Sequence, residues 1–370
     1  MPDLYNGLAW EDTITLRLRA LYESRGYGRY RMGKFEPYDM YLENRNFLKS
    51  AGVITFTDAS GKLMALKPDV TMSIVKNTPV DAVSRKLYYT ENVFRMASGS
   101  NEYREISQIG VESIGSGDLF SEAEVILLAL QTLELISPDY LLCLGDMEII
   151  DAVLRTSGLD GEDYDSAVAL IRQKNAGGLD ALCVRCGVSG DMRALLSELA
   201  VMSSQIDEGL SLLDFPALPD SARARLAEVR ALFDILRDGG YADKLRMDFS
   251  IINDMDYYNG IVFRGYLPDA PRAVLSGGRY DNLMRRLGKP QSAIGFALYS
   301  GELARMFGKM PEYDADVLVV YGDAAPEMIR ETVKRVSEGG KKSVRTEKYP
   351  TSGVKARETV VIGETEAQSR

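Results

Sequence analysis

Across its 370 residues the chain has no histidine. Histidine is the only side chain whose ordinary pKa falls within the physiological range, and it is the commonest general base and metal ligand. Its absence excludes zinc deaminases, H-E-x-x-H metalloproteases and nucleophile systems built on Ser-His-Asp or Cys-His. Any chemistry would have to run on carboxylates, lysine, arginine or tyrosine. Cysteine is scarce too: Cys143, Cys183 and Cys186 suit a reducing cytoplasm. Cys183 and Cys186 form a C-x-x-C pair that is redox-active, half of a metal site or incidental. With neither a second pair nor a histidine, incidental thiols are expected. No apolar run is long enough for a transmembrane helix, so no membrane partner is expected. The N-terminus lacks the apolar stretch of a secretory signal. Basic residues are outnumbered, 44 against 54, leaving a formal charge of −10. That balance disfavours non-specific wrapping of nucleic acid but leaves room for a local basic site.

What is present reads as an ordinary globular chain, 45% hydrophobic and 26% charged. Residues 11–25 carry Ile14, Leu16, Leu18 and Leu21 among Arg and Glu before Gly26, the pattern of an amphipathic helix with a glycine stop. Segments 53–57 and 62–66 flank Asp58-Ala59-Ser60-Gly61 and predict a β-hairpin. A helix starts near Pro68 or Asp69 and runs to Lys76. Two further strands, 86–94 and 103–115, flank a turn-rich loop with Arg95 and Arg104 on either side, an anion-binding hairpin in outline. Residues 121–136 predict a strong helix. From about 141 to 245 aromatics thin out and Leu, Ala, Asp, Glu and Arg dominate, the composition of a mostly helical segment. Strand character returns at 245–252 and 261–266. After Pro311 comes a short α/β pattern: strand 317–320, helix 325–338, strands 343–346 and 358–362. The last residues are expected to be disordered.

Five segments, in order, resemble the catalytic core of class II histidyl-tRNA synthetases. LMALKPDVT (63–71) is similar to that family's LxLRPExT element. YYTENVFR (88–95) with YREISQIGVESIG (103–115) resembles its motif 2 hairpin. MDYYNGIVF (255–263) resembles its histidine-specific RGLDYYxxTVFE element, GGRYDNL (277–283) its GGRYDGL element, and AIGFAL (293–298) the start of motif 3. The resemblance covers residues 10 to 305. It implies an α+β fold: a class II aminoacyl-tRNA synthetase-like antiparallel sheet flanked by helices, with a helical insertion and a small C-terminal α/β domain. The expected division is 1–140 and 245–308 for the core, 141–244 for the insertion, 312–363 for a truncated α/β domain and 364–370 for a disordered tail. Carried over motif by motif, the amino-acid pocket comprises Asp69 and Thr71 for the α-amino group, Gln108 and Glu112, then Tyr257 and Tyr258, with Tyr280 on the floor. A carboxylate pairs with an ammonium or accepts an imidazole N–H, and a tyrosine hydroxyl does either. Asp69 stands where the family has glutamate, and Lys67 where it has arginine.

Adenylate formation needs fixed positive charge on the α-phosphate of ATP. The family supplies it with three arginines. Arg95 keeps the motif 2 position and, with Arg104, leaves a remnant anion site. Asn253 replaces the arginine that opens RGLDYY, Glu302 falls near the motif 3 arginine, and Ala97 replaces the motif 2 glutamate. Arg305 lies a turn beyond the motif 3 position. Losing one such clamp costs several kcal/mol of transition-state stabilisation, so adenylation is expected to be lost and no catalytic residue or cofactor is assigned. About 60 residues follow Pro311, shorter and more acidic than the family's anticodon-binding domain, a poor tRNA surface. A histidine-reading core without adenylation resembles the regulatory subunits of ATP phosphoribosyltransferase. That resemblance implies a cytoplasmic, non-catalytic partner of the short catalytic subunit, a homodimer within a hetero-octamer, with L-histidine as feedback effector in the first step of histidine biosynthesis. The alternatives are a divergent class II aminoacyl ligase acting on a non-tRNA substrate, and a nucleic-acid-binding or scaffolding paralogue.

Overall fold

The computed structural model describes residues 9–43, 52–81, 83–96, 102–252, 258–308, 313–337, 343–350 and 352–363. The chain divides into two compact units, residues 11–306 and a smaller one of residues 1–10 with 307–370. Within the larger unit lies a nine-stranded sheet. Its centre is antiparallel, running Arg85–Met96, Tyr103–Gly115, Ser292–Tyr299, Leu275–Arg279, Ile261–Tyr266 and Leu141–Asp146. Gly28–Arg29 adds a parallel edge, and Leu245–Met247 with Ser204–Gln205 closes the other side. A separate three-stranded sheet pairs Leu63–Leu66 with both Phe35–Pro37 and Thr55–Thr57. The expected hairpin is therefore present, and its turn is fixed by Asp58, whose carboxylate accepts from the backbone N–H groups of Ser60 and Lys62.

The helices follow their patterns and caps. In Trp10–Ser24 the side chains of Ile14, Leu18 and Tyr22 are buried, one stripe at helical spacing, while Leu16 points outward. Tyr22 is anchored at its polar end by the Thr132 hydroxyl, 2.9 Å away, on the helix Leu119–Glu134. Asp118 caps that second helix by accepting from Ser121 N at 2.8 Å.

Two expectations change. Residues 141–146, read as part of the helical segment, form a strand inside the main sheet, and the helices begin after it with Met147–Thr156. The strand expected over 245–252 stops at Met247. Asp248 accepts from Ser250 N and turns the chain into a 3-10 helix, Phe249–Ile251. In the smaller unit Ala315–Val320 pairs in parallel with Val344–Glu347 on one side and Ala356–Val361 on the other, with the helix Pro326–Ser337 between the first two in sequence. Residues 364–370 and the loop 97–101 lie outside the described residues.

A buried ion network fastens the helical segment to the sheet. Arg225, on the helix Asp220–Asp238, is 7% exposed. Its Nε donates to Oδ2 of Asp146 at 2.9 Å and its Nη2 to Oε2 of Glu122 at 3.2 Å. Asp146 caps the helix Met147–Thr156 through Glu148 N and Ile149 N, and Glu122 also accepts Nη1 of Arg279 at 2.8 Å. Removing one member of a buried, hydrogen-bonded cluster leaves its partners charged and unpaired. Arg225→Ala is expected to lower unfolding free energy by about 3–5 kcal/mol, measured by denaturant titration. A loss below about 1 kcal/mol would mean that solvent or a neighbour readily replaces the guanidinium.

Candidate functional site

Residues expected from sequence to form the pocket meet where the helix Val70–Lys76 and the 280 turn approach the face of the strand Tyr103–Gly115. Alternation along that strand puts Gln108, Gly110 and Glu112 on one face. Glu112 is 2% exposed. Its Oε1 accepts the Thr71 hydroxyl at 2.7 Å and its Oε2 the Tyr280 hydroxyl at 2.6 Å. Directly opposite in the sheet register is Gly295, in the AIGFAL segment. A Cβ there would collide with Oε2 of Glu112 and with the carbonyl of Val111, so glycine is required for the carboxylate to lie across the sheet. Tyr258 packs beside Gly278, where a Cβ would come within 2.7 Å of its ring.

Burial pushes the Glu112 carboxyl up to about 8. The two hydroxyl donors pull it back only in part, and the neighbouring Asp69 charge adds a further upward push. Burial likewise raises Tyr258 and Tyr89 well above the ordinary tyrosine value, so both hydroxyls stay neutral.

Asp69 plays a double role. Its Oδ1 caps the helix Val70–Lys76 by accepting from Met72 N at 2.8 Å, and its Oδ2 pairs with Nη2 of Arg95 at 3.0 Å. Aspartate is among the best capping residues, its short side chain suiting the N-cap geometry. Arg95 also donates through Nε to the Pro68 carbonyl at 2.6 Å. Lys67 is buried and paired with Glu91.

Beside the pocket opens a cleft of about 830 Å³ lined by Arg95, Arg104, Gln108, Arg272, Tyr299, Glu302 and Arg305 among others. Arg95 and Arg104 are directly cross-strand in the register. Glu302 is bound by Nη2 of Arg272 at 2.6 Å. Helical winding of Ser300–Phe307 places Arg305, a turn beyond the motif 3 position, along the same cleft as Glu302. Arg272 was missed from sequence, since it sits in the connection between two strands with no motif around it. A second cleft of about 890 Å³ runs between Tyr258, Asn259, Asn282 and Arg285 of the core and Glu148, Asp151, Arg155, Tyr164 and Arg172 of the helical segment. Tyr257, Asn253 and Ala97 lie outside the described residues. The structure thus joins Asp69, Thr71, Glu112, Tyr280 and Arg95 in one chain of contacts or a shared wall, with Gln108 on the same strand face and Tyr258 close by. Of the supporting residues, Glu122 and Gly295 carried no signal as single letters.

Comparison with known proteins points the same way. Residues 8–303 match the family model described as histidyl-tRNA synthetase. The ATP phosphoribosyltransferase regulatory subunit of Caldanaerobacter subterraneus is 30% identical over 306 residues, covering 80% of this chain and 78% of that protein. The regulatory subunit of Acetivibrio thermocellus is 26% identical over 301 residues, covering 80% and 72%. The chain belongs to the ATP phosphoribosyltransferase regulatory subunit family. Among solved structures, a Bacillus halodurans protein described as an ATP phosphoribosyltransferase regulatory subunit/histidyl-tRNA synthetase shares the fold, with a TM-score of 0.78 over 95% of this chain and 93% of that one at 21% identity. A histidyl-tRNA synthetase from Nostoc gives 0.72 over 95% and 86% at 17% identity. The class II synthetase-like α+β architecture of the regulatory subunit family is therefore this chain's architecture.

A carboxyl raised by burial stabilises the fold most while it keeps its proton. That contribution is lost as pH rises from the ordinary value of 4.5 through about 8. Without ligand, the unfolding midpoint is expected to fall further between pH 7 and 9 in the natural chain than in Glu112→Gln, whose amide does not ionise. Parallel falls in the two proteins, followed by thermal melting, would show that Glu112 does not titrate there.

Proposed function

We propose that this regulatory subunit activates a short-form ATP phosphoribosyltransferase catalytic subunit and carries feedback inhibition by L-histidine in the first step of histidine biosynthesis. It does so in the cytoplasm as a homodimer within a hetero-octamer, needing no cofactor. Histidine sits in the pocket with its ring at Glu112 and Tyr258, its ammonium toward Asp69, and Tyr280 and Thr71 holding the carboxylate of Glu112 in place. Gln108 and Tyr257 complete the set. The effector changes activity only through contacts that differ between two arrangements of the assembly, a coupling typically worth about 1–3 kcal/mol.

One observation carries the non-catalytic reading. Arg95 is held inward by Asp69 and the Pro68 carbonyl, so its charge is partly neutralised before any phosphate arrives. With Asn253 and Ala97 in place of charged residues, and Glu302 in the cleft, the concentrated positive field that adenylation needs is missing. The presence of Arg272 and Arg305 in that cleft favours, as a second reading, a divergent aminoacyl ligase. Amino-acid-dependent exchange of pyrophosphate into ATP discriminates: none is expected, and sustained exchange would move the chain to the ligase reading.

The direct test is phosphoribosyl-ATP formation by a short catalytic subunit with and without this chain across a histidine titration. Stimulation that histidine reverses is expected. No stimulation and no histidine sensitivity would sink the proposal. Glu112→Ala is expected to raise the histidine concentration for half-inhibition at least tenfold, about the 1.4 kcal/mol of one charge-assisted hydrogen bond. An unchanged inhibition curve would mean that the ring contact is misassigned.

A further inference from the structure

Among the described residues, the buried carboxyl of Glu112 has no cationic partner. Around Glu112 stand the hydroxyls of Thr71 and Tyr280, and the titratable groups facing it are Asp69 at the start of its helix, Tyr89 on the adjacent strand, Tyr258 beside Gly278 and Tyr27 after the first helix. On the other side the strand Ser292–Tyr299 presents only the backbone of Gly295. Among the described residues no lysine or arginine pairs with Glu112, and Arg95 on the neighbouring strand is paired with Asp69. Hydroxyl donors ease the charging of a buried carboxylate but bring no opposite charge. A ligand that brings a positive charge to this spot completes the pair, and a neutral ring does not.

We propose that the pocket takes the effector's ring as a cation, an imidazolium whose proton comes from Glu112, which holds it while the site is empty. The inference rests on histidine being the effector. On binding, the O–H bond of Glu112 breaks and an N–H bond forms on the ring nitrogen facing it. The electron pair of that bond stays on the carboxylate, and no proton is exchanged with solvent.

The proton count fixes a pH signature. Free histidine's ring titrates near about 6.5, and burial sets the Glu112 carboxyl at about 8. Between the two, the proton simply moves across and affinity is flat. Above the upper value Glu112 is already ionised and the ring neutral, so one proton is taken up and affinity falls about tenfold per pH unit. Below the lower value the ring is already charged and Glu112 must release its proton, so affinity falls about tenfold per unit toward acid. A neutral ring donating to an ionised Glu112 would behave otherwise, releasing one proton at neutral pH and losing nothing above the upper value.

The test is calorimetric titration of the full chain with L-histidine in pairs of buffers of different ionisation enthalpy, at pH 5.5, 7.3 and 9.0. The same titration with 1,2,4-triazole-3-alanine, whose ring barely protonates, cancels the contribution of the α-amino group. ¹⁵N spectra of ring-labelled histidine bound at pH 7.3 report the ring directly. Expected are no net proton at pH 7.3, about one more proton taken up at pH 9.0 by histidine than by the triazole, at least tenfold weaker triazole binding at pH 7.3, and two protonated ring nitrogens. Release of one proton at pH 7.3, or one unprotonated ring nitrogen in the complex, overturns the proposal while leaving histidine as the effector. Absence of histidine binding at every pH overturns the effector reading and the proposal together.

Discussion

Much of the larger unit hangs on one shared carboxylate. Glu122, 2% exposed, accepts from Arg225 of the helical segment and from Arg279 of the sheet. Arg225 in turn holds Asp146, the cap of the first helix after the strand Leu141–Asp146. Arg279 holds Asp281, whose Oδ1 accepts from Ala293 N on the next strand. Two guanidiniums and three carboxylates thus fix the entry of the helical segment, the end of one strand and the start of another. A buried ion cluster of this kind gives little net stability over an apolar one, but it admits few alternative geometries. Its consequence reaches the pocket, because Tyr280 sits between Arg279 and Asp281 and sets its hydroxyl on Glu112.

The exchange of glutamate for aspartate at position 69 is best understood through the helix it begins. A short carboxylate caps Val70–Lys76 with one oxygen and turns the other to Arg95. That pairing neutralises part of the charge of an arginine that lines the cleft. Glu302 does the same for Arg272. The cleft keeps its cations but neutralises part of their charge internally, whereas among the described residues no lysine or arginine pairs with Glu112.

Much of this was legible in the residues. Five ordered motifs implied the sheet, and the motif 2 resemblance put Gln108 and Glu112 on one strand. The Asp58 turn follows from a short polar side chain that hydrogen-bonds its own backbone, whereas the Asp118 cap starts its helix two residues earlier than the pattern at 121–136 implied. What could not be read depended on partners distant in sequence. Leu141–Asp146 has the composition of the helices that follow and becomes a strand because the Ile261–Tyr266 and Leu245–Met247 strands offer it partners on both sides. Arg272 and Arg305 reach the cleft through a loop path and a helix rotation that no local pattern encodes. Glu122 looks like an ordinary first-turn acid of a helix, and only the tertiary approach of Arg225, 103 residues away in the chain, makes it a buried anion.

The missing histidines acquire a physical meaning beside this pocket. A site that reads an imidazole with a carboxylate and tyrosine hydroxyls needs no imidazole of its own. With none elsewhere in the chain, no side chain at its ordinary pKa changes charge between about pH 5 and 8. Burial lifts Glu112 to about 8, the upper edge of that window. Under the proposed reading, a neutral-pH response to the effector would not be blurred by a background of surface histidines.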